Sequence, residues 1–155
     1  MNYEVIEPTL GMMRQVYDLI MSEAAEHKLL PRALSDLYEH VHDFLVVREK
    51  GSEEIIGCAA LHIIWEDLGE IRSLAVAEGH KSRGIGTLLV EECMKDARAL
   101  GLKRVFALTY AVDFFERCSF VKIDREKLPH KIWSVCVNCP KFPDCDEQAV
   151  EREVN

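Results

Sequence analysis

One segment constrains the fold more than any other: an apolar strand runs into a glycine-containing loop, and the loop opens a helix. The strand is Glu70–Val76, and the loop closes with Gly84 and Gly86. The first amides of a helix have no intrahelical partner, and the helix dipole favours negative charge there. Glycines let a bulky anion approach the backbone. The segment therefore predicts a diphosphate site, with Lys81 and Arg83 adding positive charge.

Two other phosphate-binding motifs do not fit this loop. A Walker loop needs Gly-Lys followed by Ser or Thr, which the chain lacks here. A dinucleotide-binding fingerprint needs a third glycine, but the residue three after Gly86 is Leu89. That fold also has an all-parallel sheet, and the turn predicted at Gly51 indicates an antiparallel hairpin.

Apolar periodicity predicts the order β, α, α, β, β, β, α, β, α, β, which indicates an α/β fold with a mixed sheet and helices on its faces. Gly101 stands where a glycine ends a helix, and 147–153 is expected to be an exposed helix or a fraying end. Strands are predicted over 3–6, 44–48, 55–64, 70–76, 104–108 and 120–123. The first helix is predicted to begin at 8–9, and the others cover 34–41, 85–100 and 112–117.

Length and charge exclude several classes of protein. A chain of 155 residues fits one domain, 1–155, and no apolar run has the length of a membrane span. The net charge of −8 argues against a nucleic-acid partner. The N-terminus has no secretory pattern, so we expect a cytoplasmic protein. Cys58, Cys93 and Cys118 stand in apolar surroundings and are expected to be buried small hydrophobes.

The loop resembles the signature of the GNAT superfamily of N-acetyltransferases, Gln/Arg-x-x-Gly-x-Gly/Ala after a Leu-Ala-Val-like strand end. Here it is 81–86 after 74–76, with Lys81 in place of the usual Gln or Arg. The family's later motif, aromatic-Tyr-Glu-x-x-Gly-Phe, corresponds to 114–120. The resemblance implies the GNAT fold, a central mixed β-sheet flanked by helices, and acetyl-CoA as cosubstrate.

A closer resemblance is to the stand-alone amino-acid N-acetyltransferases, the short N-acetylglutamate synthases without a kinase domain. It rests on the segments 29–32, 70–76, 106–110, 128–131 and 136–147. It implies transfer of acetyl from acetyl-CoA to the α-amino group of L-glutamate, which opens arginine biosynthesis in many bacteria. Two alternatives stay open: another acceptor (an amino acid, a polyamine or a protein N-terminus) and a non-catalytic acetyl-CoA-binding module.

The resemblance also implies where the coenzyme binds. The pantetheine arm would pair with the strand end, where the backbone N–H of Val76 faces the thioester carbonyl. The residues expected to hold acetyl-CoA are Leu74, Ala75, Val76, Lys81, Ser82, Arg83, Gly84, Ile85, Gly86 and Thr87.

Amine attack on a thioester needs a neutral amine, donors for the oxyanion and a leaving thiolate. Glu70 is the expected general base, acting through water; the alternative is a solvent-facing carboxylate at the strand end. Phe115 stands where many GNAT enzymes have a tyrosine, and phenylalanine has no proton to donate. Tyr110 is the candidate general acid, with a core aromatic role as the alternative.

A glutamate acceptor carries carboxylates, which arginine binds through two parallel hydrogen bonds. The resemblance implies that Arg32 binds a carboxylate, with the backbones of Leu30 and Ser73 lining the pocket. Arg72 is a second candidate, with a surface ion pair as the alternative for either arginine. Strand alternation predicts that Ile71 and Ser73 face the opposite side from Arg72.

The tail at 134–155 contains Cys136, Cys139 and Cys145, whose spacing is typical of zinc ligands. A structural zinc is one interpretation, and three reduced thiols in a packed tail is the other. The expected partners are acetyl-CoA and L-glutamate, with neither nucleic acid nor membrane, and a homodimer is left open.

Overall fold

The computed structural model describes residues 2–26, 28–129 and 147–155, which form a seven-stranded mixed sheet with helices on both faces. The strand order is β1-β2-β3-β4-β5-β7-β6. The strands are β1 (Tyr3–Ile6), β2 (Phe44–Glu49), β3 (Gly57–Trp65), β4 (Leu68–Val76), β5 (Arg104–Thr109), β6 (Val121–Ile123) and β7 (Gln148–Glu153). The helices are α1 (Met13–Ala25), α2 (Leu34–Glu39), α3 (Ile85–Leu100) and α4 (Val112–Arg117). The predicted α/β fold with a mixed sheet is confirmed.

The central strands β4 and β5 are parallel, whereas the other neighbouring strands are antiparallel. The β4–β5 ladder covers only 68–70 against 104–106. Beyond Glu70, β4 continues to Val76 paired with β3 alone. The edge of β4 that faces β5 is therefore left without a strand partner over its last residues, and the sheet opens there.

The core lies on the two faces of the sheet. Helices α3 and α4 cover one face, where Leu89, Cys93 and Phe115 are buried, and α1 and α2 cover the other with Val16, Ile20 and Leu37. The amphipathic spacing that predicted 85–100 puts its apolar stripe on the sheet. Cys58, Cys93 and Cys118 are 0%, 0% and 3% exposed, which confirms their interpretation as buried hydrophobes.

The last described strand corrects the expectation for 147–153. This segment is neither a helix nor a fraying end, because β7 inserts between β5 and β6 and pairs with both. Ala149 and Val150 are 1% and 0% exposed. Its charged residues form ion pairs at the sheet surface, Glu151 with Arg104 and Arg152 with Glu91. Two buried apolar residues and two ladders therefore decide the conformation, despite the charged sequence.

Both predicted turn glycines adopt the left-handed backbone that favours glycine. Gly101, after the end of α3, has a φ of 84°, and Gly51, in the turn after β2, has a φ of 87°. The residues that the structure describes include no helix with both the length and the apolarity to cross a bilayer.

Candidate active site

The start of α3 is open to solvent and suited to an anion. Gly84 precedes the helix with a φ of 81°, and a Cβ placed there would meet nothing within 4 Å. The first turn has no acidic residue. The Leu88 N–H donates to the Gly84 carbonyl at 2.9 Å, so the amides of 85–87 lie before the start of the helical ladder. Ser82 and Arg83 are also exposed here.

Gly86 has a packing role that the sequence argument missed. A Cβ at Gly86 would lie 3.1 Å from Cε1 and Cζ of Phe114. The missing side chain therefore makes room for a ring of α4. Of the pair Gly84 and Gly86, only Gly84 has empty surroundings.

Lys81 is held by carboxylates within the protein. Its Nζ lies 2.7 Å from Oε1 of Glu23 in α1 and 3.1 Å from Oε2 of Glu78. The hydrogen bond to Glu23 raises the pKa of Lys81 against the opposing effect of burial. The ammonium thus ties the loop to α1, and part of the positive charge expected beside the diphosphate is already neutralised.

A β-bulge reshapes β4 next to the gap in the sheet. Cys58 pairs with Ala75 and Ala60 with Arg72, so Ser73 and Leu74 lie together opposite one residue of β3. Ser73 has a φ of 57°. The bulge interrupts the side-chain alternation. The expectation that Ser73 faces away from Arg72 is wrong, because the Ser73 hydroxyl lies on the side of the sheet covered by α1 and α2.

Glu70 is enclosed rather than solvent-facing. It is the third residue of β4, which begins at Leu68, and it is 6% exposed. Its Oε1 accepts a hydrogen bond from Arg72 Nε at 2.6 Å. Burial raises the pKa of Glu70, and the Arg72 guanidinium opposes that shift in part. A buried carboxyl with a raised pKa is suited to general-base chemistry near neutral pH.

Arg32 reaches the same face of the sheet from the loop before α2. Its Nη1 donates to Ser73 Oγ at 3.0 Å, and its Nε donates to Asp36 Oδ2 at 2.7 Å. The guanidinium lies over the Phe44 ring, 5.5 Å from the centroid. Burial acts to raise the pKa of Asp36, but the hydrogen bond and charge of Arg32 hold that pKa below its usual range. Leu30 is half-buried in the same loop.

Two histidine–aspartate pairs at this site were missed from the sequence. His62 Nδ1 lies 2.9 Å from Asp43 Oδ2, and His40 Nδ1 lies 2.9 Å from Asp36 Oδ1. His62 is the β3 residue opposite Glu70. Counting back from the turn between β3 and β4 would have paired His62 with Ile71. The observed pairing with Glu70 depends on a register shift between Ile63 and Trp65, for which the sequence gives no signal.

Phe115, at the position of the usual tyrosine, lies in α4, and Tyr110, the candidate general acid, lies at the end of β5. Phe115 is 4% exposed and makes edge-on contacts with Phe114 and Phe120. Tyr110 follows the last residue of β5 and is half-buried. The catalytic role of Tyr110 stays a prediction.

The cysteine cluster Cys136, Cys139 and Cys145 lies outside the described residues. Among the residues that are described, no group of three His, Cys, Asp or Glu side chains could hold a metal ion. The structural zinc therefore stays a prediction.

The separated parallel strands, with an open helix start beside them, define an N-acyltransferase of the acyl-coenzyme A-dependent class. The chain belongs to the acetyltransferase (GNAT) family, whose sequence model matches residues 11–120. It is 42% identical over 129 residues to an uncharacterized N-acetyltransferase of Chlorobaculum tepidum, covering 83% of this chain and 82% of that protein. It is 42% identical over 97 residues to an amino-acid acetyltransferase of Mycobacterium tuberculosis, covering 62% of this chain and 56% of that one.

Solved structures share the fold. Rv2747 from Mycobacterium tuberculosis, in complex with CoA and NLQ, superposes with a TM-score of 0.83 at 28% identity over 98% of this chain and 99% of that chain. An N-acetylglutamate synthase from Neisseria gonorrhoeae, complexed with coenzyme A and N-acetyl-glutamate, gives a TM-score of 0.87 at 23% identity. This chain is covered completely in that match but spans 36% of the synthase chain. The protein is an acetyl-CoA-dependent N-acetyltransferase.

Proposed function

We propose that the protein transfers the acetyl group of acetyl-CoA to the α-amino group of L-glutamate, the reaction of an N-acetylglutamate synthase. The observation that carries the proposal is the position of Arg32, whose guanidinium lies against Ser73 on the face that carries buried Glu70. The amino-acid acetyltransferase named above and the coenzyme and N-acetyl-glutamate in the synthase complex support it. This reaction would place the protein at the start of arginine biosynthesis.

Acetyl-CoA would bind along the open edge of β4 and the start of α3. The unpaired edge near Val76 offers backbone groups to the pantetheine arm, and the start of α3 offers amides to the diphosphate. Lys81 would act through its backbone, because its ammonium is paired with Glu23. The proposed coenzyme-binding residues are Leu74, Ala75, Val76, Lys81, Ser82, Arg83, Gly84, Ile85, Gly86 and Thr87.

In this scheme the transfer uses one general base, one donor for the oxyanion and one general acid. Glu70 takes a proton from the α-ammonium group of the acceptor through water, and the neutral amine attacks the thioester carbonyl. The Val76 N–H stabilises the oxyanion that forms. The C–S bond then breaks and coenzyme A leaves as the thiolate, which takes the proton of the Tyr110 hydroxyl in our proposal. The attacking nitrogen loses its second proton as the amide forms, and that proton restores the Tyr110 hydroxyl.

Arg32 is the main carboxylate ligand in this scheme. Asp36 holds the Arg32 Nε and is 39% exposed, so an incoming substrate carboxylate can compete for that guanidinium. Arg72 is hydrogen-bonded to Glu70, so we propose that it contributes to acceptor binding through its positive charge. The backbones of Leu30 and Ser73 complete the proposed pocket.

A thiol-release assay across the amino acids and a polyamine tests the proposal. We expect coenzyme A to be released with L-glutamate, and mass spectrometry to place the acetyl group on its α-nitrogen. Release with a polyamine alone would contradict the proposed acceptor. Acetyl-CoA binding in a calorimeter without turnover of any amine would instead support a non-catalytic module.

Three further expectations stay predictions. A cytoplasmic location is tested by fractionating cells that express the protein, and a homodimer by sedimentation. A structural zinc at Cys136, Cys139 and Cys145 is tested by metal analysis of protein purified without chelator. The transfer itself needs no metal, so removing zinc would lower stability rather than change the reaction.

A further inference from the structure

Glu70 has to release its proton once in every catalytic cycle. The carboxyl is 6% exposed and is bound to Arg72 at 2.6 Å, so bulk water has little direct access to it. A general base that keeps its proton cannot serve a second substrate molecule. The mechanism therefore requires a group that takes the proton from Glu70 and is itself open to solvent.

His62 occupies the position that such a group needs. It is the register partner of Glu70 across the antiparallel β3–β4 pair, and the Cβ atoms of such partners lie about 4.5–5.5 Å apart on one face of the sheet. Its side chain is 25% exposed. The charge of His62 acts on Glu70 and lowers the pKa of that carboxyl, in opposition to the larger effect of burial.

Asp43 orients the imidazole of His62. It lies in the short 3-10 turn Val41–Asp43 before β2, and its Oδ2 is 2.9 Å from His62 Nδ1. A carboxylate in this position accepts the Nδ1–H, leaves Nε2 as the proton acceptor and stabilises the imidazolium once it forms. The arrangement is that of an oriented acid–base histidine beside a buried carboxyl.

We propose that the His62–Asp43 pair carries the proton of the reaction from Glu70 to solvent, an inference that rests on the proposed function. The acceptor ammonium loses a proton to the Glu70 carboxylate. The carboxyl then passes it through water to His62 Nε2, and the resulting imidazolium, paired with Asp43, gives it to bulk water. Each cycle ends with ionised Glu70 and neutral His62.

Charged groups from every neighbouring element bear on His62. Asp43 is in contact with His62, and the guanidiniums of Arg72 in β4 and of Arg32, from the loop before α2, act together with His62 on Glu70. The His40 ring at the end of α2 lies 5.6 Å from the His62 ring at 65°, and His40 is itself held by Asp36. The imidazolium of His62 would therefore form between carboxylates and guanidiniums, and its charge is balanced locally.

The test compares His62→Gln and His62→Ala with His42→Ala, which changes an exposed histidine in the same turn as Asp43. With the accepted amino acid we expect kcat of both His62 variants to fall about tenfold or more, with KM for both substrates nearly unchanged. Added imidazole should restore part of the rate in His62→Ala. Asp43→Asn should change the pH–rate profile, and His42→Ala should match wild type.

A double variant separates the relay from a general effect on folding. If His62 acts through Glu70, Glu70→Gln with His62→Gln is no slower than Glu70→Gln alone, because the two residues serve one path. Wild-type kcat in both His62 variants at every pH would overturn the relay and leave the proposed function intact. The relay would also be overturned if the His62 variants lost kcat that imidazole does not restore, and if that loss added fully to the loss of kcat from Glu70→Gln. Absence of turnover by the wild-type protein with every amino acid would overturn the proposed function, and the relay with it.

Discussion

The Nε of Arg72 donates a hydrogen bond to Oε1 of Glu70 at 2.6 Å, and both side chains lie on the face of the sheet covered by α1 and α2. This pair assigns different tasks to the two arginines expected to bind a carboxylate. Arg72 compensates a buried acid, so Arg32 is the arginine that we propose as the main ligand for the substrate. A buried arginine–carboxylate pair is costly to break, because removing one partner strands the other charge.

Glu70→Gln tests the general base. Burial raises the pKa of Glu70, so the ionised, active form is lost as the pH falls through that raised value. We expect the variant to lower kcat by on the order of tenfold to a thousandfold at neutral pH, and to lose this acidic limb from the pH–rate profile. Glu66→Gln, at an exposed position in the turn after β3, is the control. An acidic limb that survives unchanged in Glu70→Gln would remove Glu70 from the mechanism.

Arg32→Ala and Arg32→Lys test the carboxylate site. Lysine keeps the charge but loses the planar fork that donates to Asp36 and Ser73. We expect both variants to raise KM for the amino acid by about tenfold or more, a loss of about 1.4 kcal/mol or more of binding, with little change in KM for acetyl-CoA. Steady-state kinetics with each substrate varied in turn measures this. Equal effects on both KM values would refute the assignment.

Local patterns predicted the helices on one face of the sheet to the residue. The amphipathic stripe and the glycine at its end predicted α3 over 85–100, and the bounds of α4 over 112–117 are also confirmed. Both depend on residues within a few positions of one another. The open helix start with a left-handed glycine at Gly84 follows from the same local chemistry.

Features that depend on distant pairing could not be predicted in this way. The bulge at Ser73 exists only in the register of β4 against β3, so alternation along β4 put that side chain on the wrong face. Strand β7 is held by β5, whose partner residues lie about 45 positions earlier, and its own charges favoured an exposed end. The His62–Asp43 contact joins β3 to a turn that precedes β2, and no short motif encodes it.

Gly84→Ala and Gly101→Ala form a matched pair at the two ends of α3. Both glycines have a left-handed φ, 81° and 84°, and a Cβ at either would meet nothing within 4 Å. Backbone strain should therefore lower the free energy of unfolding by a similar amount in each, about 1 kcal/mol. Only Gly84→Ala should also weaken acetyl-CoA binding in a calorimeter, because we propose that the phosphates approach the backbone there. Equal affinity of the two variants for acetyl-CoA would contradict a diphosphate site at this helix start.

Thiol labelling separates the core cysteines from those of the tail. Burial raises the pKa of Cys58 and that of Cys93 to about 12, and raises the pKa of Cys118. At about pH 8 the Cys58 thiols would therefore stay protonated, and the thiolate is the reactive form. Labelling the folded protein with an aromatic disulfide, followed by peptide mass spectrometry, should leave these three cysteines unmodified, whereas denaturant should make them react.

Cys58 also donates its Sγ–H to the Ser73 carbonyl at 3.3 Å, so modification of Cys58 in the folded state would show that the bulge opens in solution. Protein with the tail cysteines changed to serine provides the control.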